Sequence, residues 1–455
     1  MLKYGGFKMI RSFYQTLDVI SEKVVKYSLV HGHQSDKLKK ANDFENCAHV
    51  CEILWKARKI ELEDPRKQNF MLRHESYTHP NVIFEDGVTL LTLTPTHAIF
   101  AKCPEDIDVH AHSTGPFFYI NQFNHCKHLI LIPLNLFIAL TNDVDALPFN
   151  PESVSYVLLS NTGRCGSTLL TQLFEDKVKN AVAISEPDFV MAMVTNHENI
   201  NYAFRQKLIR GCVFALTASA IRRFKHDNPK NQHYNVLIKP KAHGIALTPE
   251  LAQAFPSMKH LYLYRHPIEY YKSLKAVYRA LLHPLVDILM MKLSIKMEQD
   301  EFILSQFPFA NRSDTNEHLQ LMKGALNAYS SKQKTVLLIG LYVANLLSIK
   351  HQAKELGIDF KVISFQELKD TPEIVFKDVI DFCGIAINED ANFKALPDSD
   401  SQQNSVLSRS NLSNYQTPVT DQEKKLIDAL LQICHLPSIL EFSNHSLEFQ
   451  KQLQL

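Results

Sequence analysis

One stretch restricts the possible folds of this chain more than any other. An apolar run, Val154-Ser155-Tyr156-Val157-Leu158-Leu159, leads directly into SNTGRCGSTLL at 160–170. Apolar residues, then two closely spaced glycines, Ser-Thr and Leu-Leu read as a buried strand, a tight loop and the first turn of a helix. Downstream the same alternation repeats. Strands are expected at 154–159, 181–185, 235–239, 260–264 and 360–364, with helices at 167–178, 203–224, 249–254 and 267–282. Strands that alternate with helices imply an α/β fold, a parallel sheet flanked by helices. This domain is expected to span 151–455, with a helical insertion around 276–334 and a long buried helix over 335–356 that Gly357 stops.

Residues 1–150 read differently, as a smaller β-containing module that is helical first and β-rich later. Helical periodicity covers 14–60. Val82-Ile83-Phe84, the run 88–94, Ala98-Ile99-Phe100 and Phe117-Phe118-Tyr119-Ile120 read as strands, with Glu85-Asp86-Gly87 as a hairpin turn. Leu147-Pro148-Phe149-Asn150-Pro151 reads as a linker.

A length of 455 residues allows two or three domains. A net charge of +1 gives no bulk attraction to nucleic acid or to a membrane surface. The N-terminus lacks the continuous apolar core of a signal peptide. The apolar stretches Leu129–Leu140 and Val336–Ile349 fall short of the roughly 20 residues a membrane span needs. A cytoplasmic protein without a transmembrane segment is therefore expected. Its 8 cysteines are scattered, as reduced thiols would be.

The loop at 163–168 is not a Walker A loop. Only Arg164 and Cys165 separate Gly163 from Gly166, and Ser167 stands where that motif has lysine. A strand–loop–helix turn still makes an anion nest. The N–H groups of residues 165–168 and the helix dipole favour an anion, and Ser167 and Thr168 add hydroxyl donors. Without a ligand the same residues form a glycine-containing turn and nothing more. A second segment, HLYLYRHPIEYYKS at 260–273, ends a strand at Arg265, starts a helix at Pro267 and carries Ser273 two turns in. Strand ends of an open α/β sheet lie on the edge where ligands bind. A magnesium-dependent ATPase places a carboxylate at such a strand end for its metal; here there is a cation.

Together these segments resemble the sulfotransferases that use 3′-phosphoadenosine 5′-phosphosulfate (PAPS). The 5′-phosphosulfate loop of that family is similar to Thr162-Gly163-Arg164-Cys165-Gly166-Ser167-Thr168-Leu169-Leu170, and its 3′-phosphate pair is similar to Arg265 and Ser273. Val362–Pro372 is similar to a later strand of the family, and Asp398–Arg409 stands in the place of its C-terminal cofactor loop. The resemblance spans roughly 152–440 and is closer to carbohydrate-type and bacterial-type members, in which loop arginine is familiar. It implies that PAPS, or its product PAP, is held by Gly163, Arg164, Cys165, Gly166, Ser167, Thr168, Arg265, Ser273, Phe365 and Arg409. Many cytosolic members have tryptophan at the place of Leu169, stacked on adenine. The single tryptophan here is Trp55, so Phe365 is the candidate platform, or else core.

Sulfuryl transfer needs donors on the leaving phosphate and a base for the acceptor. Arg164, the loop N–H groups and Ser167 are the natural donors. Glu186, in Glu186-Pro187 after the second strand, is one candidate base, and several family members carry a Glu-Pro there. His243 in KPKAH is the rival. Lys239 and Lys241 draw in an anionic acceptor or are solvated. Cys47, His49 and Cys51, on a stretch read as helix, offer too few ligands for a metal site, so no metal is expected. The acceptor is expected to be a small molecule or carbohydrate. Two other classes stay open: a P-loop kinase or NTPase, and a non-catalytic module that binds PAP.

Overall fold

A computed structural model of the chain describes residues 47–57, 64–195, 200–281, 333–388, 400–403, 405, 407–453 and 455. The expected insertion at 276–334 lies outside the described residues from 282 to 332, as does the expected helix over 14–46. The chain divides into two compact units. One runs to Pro151 and includes Asn199–Asn231; the other takes Glu152–Glu198 and most of the chain from Gln232 on.

The first unit is built on an antiparallel sheet with strand order β2-β1-β5-β4-β3. The strands are β1 (Ala48–Lys56), β2 (Phe70–Thr78), β3 (Val88–Leu93), β4 (His97–Lys102) and β5 (His128–Pro133). Three described helices belong to this unit, α1 (Phe118–His125), α2 (Leu134–Thr141) and, from the later segment, α5 (Tyr202–Ile221). The helical reading is wrong for 48–56: this segment pairs with β2 on one side and β5 on the other. Nine residues with Val and Ile among them can satisfy either period, and two flanking strands decide it. Val82-Ile83-Phe84 belongs to a 3-10 turn, Pro80–Phe84, started by proline and capped when the Asn81 N–H donates to His79 Nδ1. Phe117–Ile120 is not a strand but the start of α1. The Glu85–Gly87 turn does not close a hairpin; it enters β3, and Gly87 O accepts from the Cys103 N–H at 2.8 Å.

The second unit carries a parallel sheet, order β10-β9-β6-β8-β7. Its strands are β6 (Val154–Asn161), β7 (Ala181–Ser185), β8 (Tyr234–Lys239), β9 (Lys259–Tyr264) and β10 (Phe360–Ser364). Parallel sheets need both faces covered, and β9 shows how the sequence does this. Leu261 and Leu263 join one core with Leu170, Phe174 and Phe376. Tyr262 and Tyr264 point the other way, into a tyrosine-rich core with Tyr270, Tyr342 and Leu430. Helices α3 (Ser167–Lys177) and α10 (Pro372–Cys383) supply the first face. The second is covered by α7 (Pro267–Leu281), α8 (Gln333–Leu356), α12 (Asp421–Ile433) and α13 (Ser446–Leu453).

On that second face Glu423 clamps α12 to α7. Its carboxylate accepts from Tyr271 Oη at 2.8 Å and from Lys275 Nζ at 2.8 Å and 3.0 Å. It also accepts from the Thr420 N–H at 2.8 Å, completing a capping box. Burial alone would raise its pKa; the bonds from Lys275, Thr420 and Tyr271 prevail and hold it at about 2. A depressed carboxyl stabilises the fold above its unfolded pKa and loses that contribution as pH falls through the folded value. Glu423→Gln should therefore cost about 2 kcal/mol at pH 7 in urea unfolding. The gap from the native chain should close between roughly pH 4.5 and 2; a gap constant across that window would mean the clamp acts by packing alone.

Candidate anion site at the sheet edge

The connections that leave β6 and β9 run to opposite edges of the sheet, β6 toward β7 and β9 toward β10. The crevice between two such neighbours is where open α/β sheets bind ligands. Asn161 pairs with Leu263, which sets Arg265 two residues past that pair, level with the start of the loop. The loop is tied down first. The Thr162 N–H donates to Leu263 O at 3.1 Å, the Gly163 N–H donates to Asn161 Oδ1 at 2.9 Å, and Asn161 Nδ2 donates to Pro240 O at 3.0 Å.

Three of the next four residues take left-handed backbone: Gly163 (φ 79°), Arg164 (φ 51°) and Gly166 (φ 82°). Glycine adopts this freely, whereas an arginine pays roughly 1–2 kcal/mol. Gly166 has a second reason to be glycine. A Cβ there would lie 2.6 Å from the Phe365 ring. Helix α3 then starts at Ser167 with no side-chain cap from Gly166, so its first N–H groups and positive dipole end face the loop. Ser167 and Thr168 are buried in that first turn, and the Cys165 side chain is buried in the core rather than in the crevice.

Two guanidiniums meet beside this loop. Arg164 Nε donates to Ser273 Oγ at 3.0 Å and its Nη1 to Gln402 Oε1 at 2.6 Å. Arg265 Nη1 donates to the Arg164 carbonyl at 3.0 Å, and its Nη2 reaches Glu269 Oε2 at 3.5 Å. Its guanidinium stacks on Phe365, 4.7 Å from the ring centroid. Arg265 Nε is buried and finds no hydrogen-bond partner among the described residues. Burial, then the neighbouring Arg265, pulls the Arg164 pKa down to about 10. Burial lowers that of Arg265 as well. Two crowded cations, one with an unused donor, would favour an anion with more than one charged group.

The candidate bases lie further along the edge. Glu186 follows β7 with left-handed backbone (φ 61°), and its N–H donates to Lys239 O at 2.6 Å. Lys239 Nζ donates back to Glu186 Oε1 at 2.5 Å. Lys239 is 2% exposed, so it is an internal ion-pair partner and not a solvated lysine. Adjacent Ser185 Oγ is buried without a partner among the described residues. His243 is half-buried in the 3-10 turn Ala242–Leu247 after β8. Arg409 heads the short helix α11 (Arg409–Ser413); it is exposed, and its N–H donates to the Asp400 carboxylate. Gln402 was not singled out from the sequence. Its bond to Arg164 spans 238 positions, and a glutamine in a polar run carries no local signal.

Among the described residues, no group of three or more His, Cys, Asp or Glu is placed to hold a metal ion. His49 and Cys51 lie on β1, where His49 Nε2 meets His74 Nδ1 at 2.9 Å. No described helix is long and apolar enough to cross a membrane.

The sequence matches no family model and no curated protein. Among solved structures it is similar to the sulfotransferase domain from the curacin biosynthetic pathway. The identity is 14%, over 61% of this chain and 97% of that one, with a TM-score of 0.30. It is also similar to the sulfotransferase domain of a Synechococcus olefin synthase, at 14% identity over 66% of this chain and 93% of that one, with a TM-score of 0.25.

The Lys239–Glu186 pair yields a stability prediction. Removing one partner of a buried pair leaves an uncompensated charge, whereas removing both is mild. Glu186→Gln should lower urea-unfolding stability by about 2–4 kcal/mol, and Lys239→Met/Glu186→Gln should recover most of it. Simple additivity of the two single changes would contradict a coupled pair.

Proposed function

We propose that this chain transfers a sulfuryl group from PAPS to a hydroxyl or amine of a small-molecule or carbohydrate acceptor. One observation carries the reading. Arg164 and Arg265 meet at the β6/β9 crevice, beside an uncapped helix start, with a buried guanidinium N–H unused. A ligand with a doubly charged group at each end matches two guanidiniums set in this way. The 5′-phosphosulfate belongs at Gly163–Thr168, where backbone N–H groups and Arg164 surround it. The 3′-phosphate belongs at Arg265 and Ser273, with Arg409 as a further cation. Phe365, under Arg265, forms part of the wall for the base.

Bound PAPS supplies an SO3 unit on a phosphate leaving group. The chain's own residues do the rest. Arg164, Ser167 and the loop N–H groups hold the leaving phosphate, where charge grows as its bond to sulfur breaks. Arginine suits this place because it stays charged and forks onto two oxygens. Glu186 takes the acceptor proton as the new O–S or N–S bond forms. Lys239 fixes Oε1 of that carboxylate, while Oε2 accepts no bond from the described residues.

PAP should stabilise the protein without added metal, by about 2.7 kcal/mol at 100 times its dissociation constant, and ATP–magnesium much less. Arg265→Ala should weaken PAP binding roughly 10- to 150-fold, yet change binding of adenosine 5′-phosphosulfate little. Calorimetric titration of both ligands decides it. Loss of PAP binding on chelation, or tighter binding of ATP, would point to a nucleotide kinase or NTPase.

The base assignment has its own test. In single-turnover assays Glu186→Gln should cut the rate by about 10²–10⁴-fold with PAP affinity within roughly threefold, and His243→Ala should be milder. The opposite ranking makes His243 the base. Normal PAP binding with no transfer in the native chain, across an acceptor panel, would leave a binding module.

A further inference from the structure

The segment that runs into α11 does more than border the crevice. Gln402 sets its carboxamide between the groups that the loop offers an anion. Its Oε1 accepts from Arg164 Nη1 at 2.6 Å, and its Nε2 lies 3.5 Å from Thr168 Oγ1. A second hold comes from α3, where Gln172 Nε2 donates to Ser401 O at 3.3 Å. The segment is internally tied. Asp400 Oδ1 accepts from the Gln402 N–H at 3.1 Å, and the other Asp400 oxygen accepts from the Arg409 N–H. Ser405 Oγ donates to Gln402 O at 2.8 Å, and Asn411 Nδ2 donates to Ser405 O at 2.9 Å. Gln402 is therefore held in place by a built turn and is not a stray surface side chain.

We propose that Gln402 is an autoinhibitory latch. Its amide oxygen stands where an oxygen of the bound anion belongs, and it must leave Arg164 before phosphate or phosphosulfate can enter. This rests on the anion reading of the 163–168 loop. Three features support displacement over simple lining. The amide is neutral, so it satisfies one Arg164 N–H but adds no charge to what Asp400 and Glu186 supply from nearby. A charged oxygen makes the stronger bond to guanidinium and outcompetes it. The remaining grips on the loop helix, from Gln172 and Thr168, are long neutral bonds that open at small cost. The latch also keeps Arg164 ordered and away from solvent anions of low affinity. Ligand entry then frees the 400–403 strap, which couples occupancy of the loop to the position of Arg409 through Asp400.

A latch lowers apparent affinity by the fraction of molecules in which it is open, so its removal should tighten binding. A residue that merely lines the site would weaken binding when truncated. The experiment titrates PAP and, separately, inorganic pyrophosphate into the native chain, Gln402→Ala and Gln402→Glu by calorimetry. Thermal unfolding of each ligand-free variant serves as the folding control. Gln402→Ala should bind both anions on the order of tenfold more tightly. Gln402→Glu, which turns the stand-in into a true carboxylate, should bind both more weakly. Opposite signs for the two variants are the signature. Equal or weaker binding in Gln402→Ala overturns the latch while the PAP reading stands. If pyrophosphate tightens in Gln402→Ala but PAP binds no better than pyrophosphate, the latch stands and the PAP reading falls. If neither anion binds any variant, both are wrong.

Discussion

Arg265 reaches across the β6/β9 boundary and donates to the backbone carbonyl of Arg164, bringing two cations together in a largely buried place. Like charges at this range repel, and burial removes the water that would screen them. Within the chain Glu269 and Asp400 offset part of that repulsion, and the ring of Phe365 part more. What holds the arrangement is the sheet. Parallel pairing of β6 with β9 fixes the register, so Arg265, just past the end of β9, and Arg164, on the loop after β6 that Thr162 ties to Leu263, cannot drift apart. The cost is carried by a core that packs both faces of the sheet.

The tyrosine-rich face explains how so polar an edge rests on so apolar a core. Tyrosine buries a large ring and still presents a hydroxyl. Tyr342 Oη donates to Arg265 O at 2.5 Å, which fixes the backbone behind the guanidinium. Tyr264 Oη donates to Ser443 O at 3.1 Å, and Tyr271 Oη ends on Glu423. Each of these three rings fills core volume while its tip meets a backbone or carboxylate oxygen that burial would otherwise leave unpaired, whereas the buried Tyr262 Oη beside them finds no partner among the described residues. Phenylalanine at Tyr342 would keep the packing and lose the tether on Arg265.

Legibility from the sequence follows the range of the interaction. The strand, loop and helix at 154–177 were readable because glycine spacing and an apolar run are local, and the parallel sheet followed from the alternation of such units. Arg265 was readable because Pro267 marks the helix start beside it. Segment 48–56 was not, since its neighbours in the sheet lie some 20 and 80 positions away. Phe117–Ile120 failed for a related reason: a run of aromatics fits a buried helix start as well as a strand. Lys239 read as a lysine that draws in an anionic acceptor or is solvated, because its burial beside Glu186 depends on β7 lying beside β8. Gln402 was legible only as part of the stretch Asp398–Arg409, because its own contact to Arg164 spans 238 positions.

The same geometry suits an arginine at 164 better than a lysine would. The side chain serves two directions at once, with Nε on Ser273 of α7 and Nη1 on Gln402 of the strap, while its carbonyl receives Arg265. A guanidinium has donors on fixed vectors in one plane and can keep one bond while exchanging another. An ammonium is a point charge that reaches one place on a flexible stem. With lysine, the exchange from amide to anion would require releasing the loop from α7. With arginine, Ser273 can hold the side chain in register throughout, so an anion entering as proposed would meet a donor already aimed. That preorganisation also explains why an arginine is tolerated in left-handed backbone at 164, where glycine would be easier.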